Sequence, residues 1–288
     1  MFIFFFVVLL SDVKITTEAF SSIFNLNNFV DINNLAPLLT VAGTIFAYFS
    51  ILIISFGDFS RYVKNEQELK KGNLSLILNL IIFSFLSVFI VIGSDVFLNQ
   101  KFSDIDRIFT NPTDIVGKFD NIQITIVVLF FIIIASASTN LVANFIPSQY
   151  SLINFAPSIL SLKSASYLIA FFGLLIAIFW LTILSQIGIL SFVDTFGAFF
   201  GPLFGVMAAD YYLIKNQELS NKDLYSIDKE SAYYYSGGWH IKGVYSLILG
   251  FIFSASTIWN TNLMFLQSYA WIIGAFVAWI TYYLLAKK

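Results

Sequence analysis

Residues 122–146 read IQITIVVLFFIIIASASTNLVANFI. The stretch is longer than the roughly 20 residues that a helix needs to cross a bilayer core about 30 Å thick. Its first half is almost entirely apolar, whereas its second half carries hydroxyl and amide side chains that hydrocarbon does not solvate. It therefore predicts a membrane-spanning helix with a polar site towards its end.

Other stretches of similar length and character lie on both sides of this one. The chain of 288 residues is 58% hydrophobic and 11% charged, whereas a soluble domain carries about 25% charged residues. We therefore expect an all-α integral membrane protein, a single transmembrane domain over residues 1–288. Its seven complete spans are predicted at about 36–57, 74–98, 122–146, 165–184, 187–214, 244–260 and 264–285.

The first ten residues, MFIFFFVVLL, are apolar but too short to cross the membrane. They lack the charged n-region and the small-residue cleavage site of a signal peptide. We interpret residues 1–10 as the remnant of a truncated helix, with a short interfacial anchor as the alternative.

The positive residues set the orientation, because cytoplasmic loops carry an excess of Lys and Arg. Of the fifteen Lys and Arg residues, eleven lie in loops 58–73, 147–164 and 215–243 and at the C-terminus, and four lie in the other connections. These loops and the C-terminus are therefore predicted to be cytoplasmic, in a bacterial cytoplasmic membrane.

Composition also excludes several functions. The formal net charge of −2 leaves no basic surface for nucleic acid. With no Cys and one His, His240, the chain has no thiolate zinc site, no Cys nucleophile and no usual His-based triad. We expect no enzyme and no cofactor, and we read His240 as a surface residue of a cytoplasmic loop.

The polar segment 135–144 is the main candidate site. Asn140 and Asn144 are four residues apart and share a helix face, and this amide pair matches the donor and acceptor edge of a polar ring. Ser138, Thr139 and the carbonyl of Ala135 lie a turn earlier and offer the hard oxygen ligands that a sodium ion takes. The alternative is helix packing through small residues, with the Asn side chains bonding between helices.

Three acidic residues stand out on other spans. Asp58 and Arg61 are expected to form an i,i+3 ion pair that anchors or gates the end of the first span, and Asp210 occupies the equivalent end of the fifth. Asp194 lies among small residues early in the fifth span, where we favour a position near the outer water layer over proton or cation binding.

Four short segments carry a resemblance to a known family. They are FGDFSRYVK at 56–64, STNLVAN at 138–144 followed by Ile146 and Pro147, GPLFGVMAADYY at 201–212, and YYYSGGW at 233–239. In this order and on these spans, they resemble motifs of the nucleobase:cation symporter-1 family, the permeases for cytosine, purines, uracil, allantoin, hydantoins and thiamine.

The resemblance implies a fold of twelve helices that contains an inverted pair of five-helix repeats. The seven spans correspond to helices six to twelve of that family, and residues 1–10 correspond to the end of helix five. We thus expect a partial inverted-repeat bundle, N-terminally truncated relative to the family.

The family's site residues carry over by position. The resemblance implies that Ala135, Ser138 and Thr139 form the eighth-helix half of a sodium site and that Asn144 bonds the substrate. Phe49, beside Tyr48, stands where the family often has a Trp that stacks on the substrate.

The function implied is cation-coupled symport of a nucleobase-like ring compound, with sodium as the coupling ion and protons as the alternative. The expected partners are that small molecule, the lipid bilayer and a missing N-terminal half. The alternative is a non-transporting membrane remnant, or a subunit that needs a separately encoded N-terminal half.

Overall fold

The computed structural model describes residues 21, 35–101, 116, 122–187, 189–224, 226 and 228–287. The predicted helix remnant at residues 1–10 and most of the connection 102–121 lie outside the described residues. In the described part of the chain the regular elements are helices, and the β-structure there is an isolated bridge between Ser236 and Trp239.

The helices are numbered here in chain order. They are α1 Leu35–Ile54, α2 Phe56–Ser60, α3 Glu66–Lys101, α4 Ile122–Asn140, α5 Ile146–Phe155, α6 Leu162–Ile187, α7 Ile189–Ala209, α8 Asn221–Leu224, α9 Ile241–Trp259 and α10 Ala270–Ala286. Two π-helical segments, Leu141–Phe145 and Asp210–Ile214, join α4 to α5 and extend α7, and a 3₁₀ segment, Thr261–Tyr269, precedes α10.

Within the described residues, seven helical stretches are long and apolar enough to cross a membrane. They are Leu35–Ile54, Glu66–Val88, Thr125–Phe155, Leu162–Trp180, Phe192–Ile214, Ile241–Trp259 and Thr261–Ala286. The all-α membrane fold expected from the sequence is confirmed.

The second span begins earlier than the sequence predicted. Helix α3 starts at Glu66 rather than near residue 74, so much of the predicted loop 58–73 is helical. The side chain of Asn65 accepts a 3.0 Å hydrogen bond from the backbone N–H of Glu68, which caps the helix. Ion pairs from Glu66 to Lys70 and from Glu68 to Lys71 support this first, polar part of the helix. Apolar composition alone does not predict this part of the helix, because polar interactions stabilise it.

The contacts divide the chain into two compact units. The first comprises residues 1–31 and 58–166, and the second comprises residues 32–57 and 167–288. Each is described separately, and the single-domain organisation expected from the sequence stays a prediction.

In the first unit, α4, the π-helical segment and α5 form one continuous helical path from Ile122 to Phe155. The side chain of Gln149 on α5 donates to the carbonyl of Leu162, 3.2 Å away, and to the hydroxyl of Ser166. These bonds attach α5 to the start of α6, so the predicted loop 147–164 is helical up to residue 155.

The core of the second unit is a seam between α7 and α10. A Cβ built on Gly201 would lie 2.2 Å from the carbonyl oxygen of Trp271, and one built on Gly205 would lie 2.1 Å from that of Ala275. The numbers rise together on the two helices, so α7 and α10 run parallel. The spacing of four residues between small side chains lets the two backbones approach this closely.

Helix α9 packs on the same seam. Around Gly250, a built Cβ would lie 2.8 Å from the carbonyl oxygen of Gly274 and 3.0 Å from Cβ of Pro202. The hydroxyl of Ser254 donates a 2.5 Å hydrogen bond to the carbonyl of Ala270, so it is bonded across the helix pair. These contacts hold α9 and α10 against α7, the helix that carries Asp194 and is followed by Asp210.

Candidate functional site

The polar segment of the third span coincides with a change of helix type. Helix α4 ends at Asn140, and residues 141–145 form a π-helical turn before α5 begins at Ile146. π-Helical turns inside α-helices are rare and occur often at functional sites. The change falls between Asn140 and Asn144, the amide pair singled out from the sequence.

The two amides bond each other. Nδ2 of Asn144 donates a 2.6 Å hydrogen bond to Oδ1 of Asn140, and both side chains are exposed. This arrangement leaves the amino group of Asn140 as a donor and the carbonyl of Asn144 as an acceptor. The pair thus presents one donor and one acceptor side by side.

The predicted cation ligands lie one turn earlier on the same helix. The hydroxyl of Ser138 donates a 3.0 Å hydrogen bond to the carbonyl of Ala135, which places these two oxygens next to each other. Thr139 is exposed and directly precedes the amide pair. Hydroxyl and carbonyl oxygens retain lone pairs while they hydrogen-bond, so the group is able to contribute oxygen ligands to a cation.

This part of the helix is open. Residues 133–142 are all exposed, which includes the apolar Ile133 and Leu141 as well as the polar side chains. In this chain the first unit therefore presents its candidate ligands on a surface.

The two aromatic candidates belong to the second unit. On α1, the rings of Tyr48 and Phe49 meet edge to face with their centroids 5.1 Å apart, and Tyr48 is 65% exposed. Since Asn140 and Asn144 belong to the other unit, a shared site for the four residues stays a prediction.

The ion pair predicted between Asp58 and Arg61 is wrong for the described structure. Helix α2 ends at Ser60, so Arg61 lies in the following turn and the i,i+3 relation of a helix does not hold. Its guanidinium instead lies 4.4 Å from the centroid of the Tyr150 ring. The hydroxyls of Tyr62 and Tyr150 are hydrogen-bonded at 2.5 Å, which further attaches this turn to α5. A gating role for Asp58 and Arg61 stays a prediction.

Asp210, another of the acidic candidates, begins the second π-helical segment. Its Oδ1 accepts a 2.6 Å hydrogen bond from the hydroxyl of Tyr282 on α10, and that hydroxyl lies 3.3 Å from Nε2 of His240. The His240 ring stacks on Tyr235 with centroids 3.9 Å apart. His240, which was expected at the surface, is half-buried, because the chain before α9 folds back onto the ends of α7 and α10.

A cavity of about 220 Å³ opens at this cluster. Its lining includes Asp210, Lys215, His240, Lys242 and Tyr282. Burial lowers the pKa of His240, although the nearby Asp210 carboxylate opposes this effect. Burial and the same carboxylate raise the pKa of Tyr235. The cluster therefore favours a neutral imidazole beside a carboxylate that Tyr282 already satisfies.

Asp194 is buried within the second unit, and the position near the outer water layer expected for it stays a prediction. The residue is 2% exposed, and its Oδ2 accepts a 3.0 Å hydrogen bond from Nε2 of Gln267 in the 3₁₀ segment. The α7 and α10 seam buries it, because the glycines that follow on α7 bring the two helices together. Gln267 was not predicted from the sequence, although an amide at the start of an apolar span is the same kind of signal that indicated residues 135–144.

Comparison with known proteins identifies relatives over most of the chain. A family model described as permease for cytosine/purines, uracil, thiamine, allantoin matches residues 1–283. Three relatives are an allantoin permease of Bacillus subtilis, a purine-uracil permease of Arabidopsis thaliana and a putative allantoin permease of Escherichia coli. They are 28%, 25% and 26% identical over 84%, 84% and 87% of this chain.

These alignments cover 48%, 41% and 50% of the three relatives, so the chain spans about half the length of the curated relatives that it matches. No solved structure gives a significant match.

Proposed function

Because the chain belongs to the family of permeases for cytosine/purines, uracil, thiamine and allantoin, we propose that it is the C-terminal portion of a secondary active transporter for a nucleobase-like ring compound. The observation that carries this proposal is the exposed amide pair of Asn140 and Asn144 at the change from α- to π-helix. The relatives named for allantoin, purines and uracil support the substrate class.

In this proposal the substrate hydrogen-bonds to the free donor of Asn140 and the free acceptor of Asn144. The rings and amides of nucleobases and hydantoins carry a donor and an acceptor on one edge, so the two chemistries match. Phe49, with Tyr48 beside it, provides the aromatic surface on which the ring stacks.

The coupling cation is proposed to bind one turn away, on the oxygens of Ala135, Ser138 and Thr139, with sodium as the ion. A cation on this helix orders the turn that precedes Asn140, so cation and substrate binding support each other. Transport then follows by alternating access, in which a helix bundle rocks around the bound substrate. No covalent step is required of the protein.

A second possibility is a subunit or remnant that transports nothing without a separately encoded N-terminal half. The openness of residues 133–142 favours a covering partner segment, because polar side chains within a membrane are normally covered by protein or line a water-filled cavity. The same segment that covers the site would then supply the rest of the cation ligands.

The proposal is tested by uptake measurements on the protein as its native cell produces it. Labelled allantoin, uracil, purines and hydantoin are compared in cells with and without its gene. Saturable uptake of one of them supports the transporter, and absence of uptake of every ring compound contradicts it. Recovery of uptake only when a separate N-terminal half is co-expressed would support the subunit.

Two substitutions then separate cation from substrate binding. Thr139→Val removes a hydroxyl and should raise the sodium concentration for half-maximal uptake by roughly 5- to 150-fold, which corresponds to a coupling of about 1–3 kcal/mol. Asn144→Ala should weaken substrate binding at every sodium concentration, because it leaves a polar group of the substrate without its partner. Ser136→Ala, on the same stretch of helix, is the control and should change neither. If both variants lower the amount of protein equally while the remaining protein keeps its normal sodium and substrate dependence, the site assignment is wrong and the segment serves helix packing.

A further inference from the structure

The buried carboxyl of Asp194 has a hydrogen-bond partner at one of its two oxygens. Asp194 lies near the start of the span Phe192–Ile214 and is 2% exposed. Gln267 donates to Oδ2, whereas Oδ1 is buried and has no hydrogen-bond partner among the described residues. One carboxylate oxygen is therefore cut off from both water and protein donors.

No basic side chain in the described part of the chain compensates this carboxyl. The helices that pack on α7 are α1, α9 and α10. The 3₁₀ segment contacts α7 through the hydrogen bond of Gln267 to Asp194, and Trp180 of α6 meets Phe192. Their titratable groups, together with those of the π-helical segment that follows α7, are Tyr48, Tyr167, Tyr211, Tyr212, Tyr245, Tyr269, Tyr282, Tyr283, Lys163, Lys242 and Asp210. Tyr269, two residues after Gln267, is nearest in sequence to the acid's hydrogen-bond partner.

The charged members of this set lie far away. Asp210 is about 24 Å from Asp194 along the helix axis at 1.5 Å per residue, and Lys242 lines the cavity beside Asp210. Lys163 belongs to the first unit. A charged carboxylate at residue 194 would thus lack both solvent and a countercharge, which makes the charged form unfavourable there.

The surroundings suit a proton better than a metal ion. Gln267 presents an N–H donor to the carboxyl. Trp271 lies one turn further along, and its buried Nε1 has no acceptor among the described residues. Its Cβ is 3.7 Å from a Cβ built on Gly197, one turn after Asp194. A sodium ion needs several oxygen ligands, whereas the side chains placed here are the N–H donor of Gln267 and Trp271, which packs in an apolar cluster with Ala47.

The hydrogen bond of Asp194 also holds an unusual segment. Residues Thr261–Tyr269 form a 3₁₀ helix of nine residues, although 3₁₀ runs longer than three or four residues are uncommon. Gln267 lies in this segment, and its contact with Asp194 attaches the segment to α7.

We propose that Asp194 is a proton-binding site: a proton on Oδ1 neutralises the carboxyl in the packed state, and the carboxyl exchanges it with water when the 3₁₀ segment that carries Gln267 moves away. The proton comes from water and returns to water, so no other reactant is needed. If the chain transports as proposed above, this site couples protons separately from Ala135, Ser138 and Thr139; that consequence alone rests on the proposed function.

Infrared spectroscopy of the 288-residue chain in lipid nanodiscs tests the proposal, because protonated carboxyls absorb apart from carboxylates. Aspartate labelled with ¹³C distinguishes Asp from Glu. At about pH 7 exposed aspartates are ionised, since their ordinary pKa is about 3.9. Wild type should show a protonated Asp band that disappears reversibly at higher pH. Asp194→Asn, which has the shape of the neutral acid, should lack it, and the exposed Glu66→Gln should keep it.

A second variant tests the hydrogen bond itself. Gln267→Leu removes the donor that favours the charged form, so the band should persist to higher pH than in wild type. A merely structural contact would not move this titration. Circular dichroism confirms that each variant is folded, and the wild-type titration alone remains decisive if Asp194→Asn does not fold.

Three results would overturn the proposal. They are absence of the band in wild type, its persistence in folded Asp194→Asn, and a band that does not change over the whole pH range in which the chain stays folded. The measurement needs neither substrate nor uptake. Its failure therefore leaves the permease proposal intact, and failure of every uptake assay leaves the proton site intact.

Discussion

The hydroxyl of Tyr282 donates a 2.6 Å hydrogen bond to Oδ1 of Asp210. The two residues lie at the ends of the parallel helices α10 and α7, and His240 contacts the same hydroxyl at 3.3 Å. Tyr282 is 1% exposed, so its ring is held by packing while its hydroxyl bonds the carboxylate. The bond lies at one end of the seam between α7 and α10, and the hydrogen bond between Gln267 and Asp194 lies at the other end.

We predict that Tyr282→Phe destabilises the chain by about 1.5–3 kcal/mol, the usual worth of a hydrogen bond to a charged group. The ring and its packing are retained, so the loss reports the hydroxyl. Denaturant unfolding in detergent, followed by circular dichroism, measures it.

The neighbouring Tyr283 provides a matched control. Its ring stacks on Trp279 and lies under Lys287, and both contacts survive removal of the hydroxyl. Tyr283→Phe should therefore change stability by less than about 0.5 kcal/mol. Equal effects of the two substitutions would show that the bond to Asp210 contributes nothing specific.

His240 should make the fold sensitive to acid. Burial lowers its pKa below the ordinary value of about 6.5, so the folded state binds fewer protons than the unfolded state. The contribution to stability is then complete above about pH 6.5 and decreases as the pH falls through that value towards the folded pKa. We expect the midpoint temperature of thermal unfolding to decrease when the pH is lowered from about 7.5 to about 5.5.

His240→Gln stays neutral across this range and is expected to reduce the decrease. Parallel thermal scans of both proteins at the two pH values provide the comparison. An identical decrease in the variant would assign the acid sensitivity to other groups.

The glycine seam should tolerate no side chain. In Gly201→Ala the new Cβ would lie 2.2 Å from a backbone carbonyl of α10, so the two helices must separate. We expect a loss of at least about 1–3 kcal/mol, as for other overpacked cores. Gly173→Ala on α6, where a built Cβ meets nothing within 4 Å, should instead be neutral or stabilise by about 0.5–1 kcal/mol. Similar stability of both variants would contradict the close approach of α7 and α10.

Orientation is open to single-cysteine labelling, because the chain contains no Cys. The excess of positive charge predicts that Cys at Lys64 or Glu230 reacts with an impermeant reagent only after the cytoplasmic side is opened. Both residues are exposed and lie outside the spans. Cys at Thr261, at the opposite end of α9, should react from outside. The reverse pattern would invert the predicted topology.

Much of the membrane fold was predictable from the sequence. Bilayer thickness dictates the length of an apolar helix, so seven spans and an all-α fold follow from local composition alone. The polar segment 135–144 was also predictable, because hydroxyl and amide side chains are conspicuous within an apolar span. The helix cap at Asn65 was missed, since it extends α3 with polar residues.

Only the tertiary structure decided which polar residues meet. Asp194 bonds Gln267, and Asp210 bonds Tyr282, across about 70 positions of sequence. These partners depend on the register between α7 and α10, which the close contact of Gly201 and Gly205 with the backbone of α10 sets. Hydropathy identifies each helix separately but carries no information about this register. For that reason the sequence determined that Asp194 lies on a membrane helix, and the packing of two helices determined that it is buried.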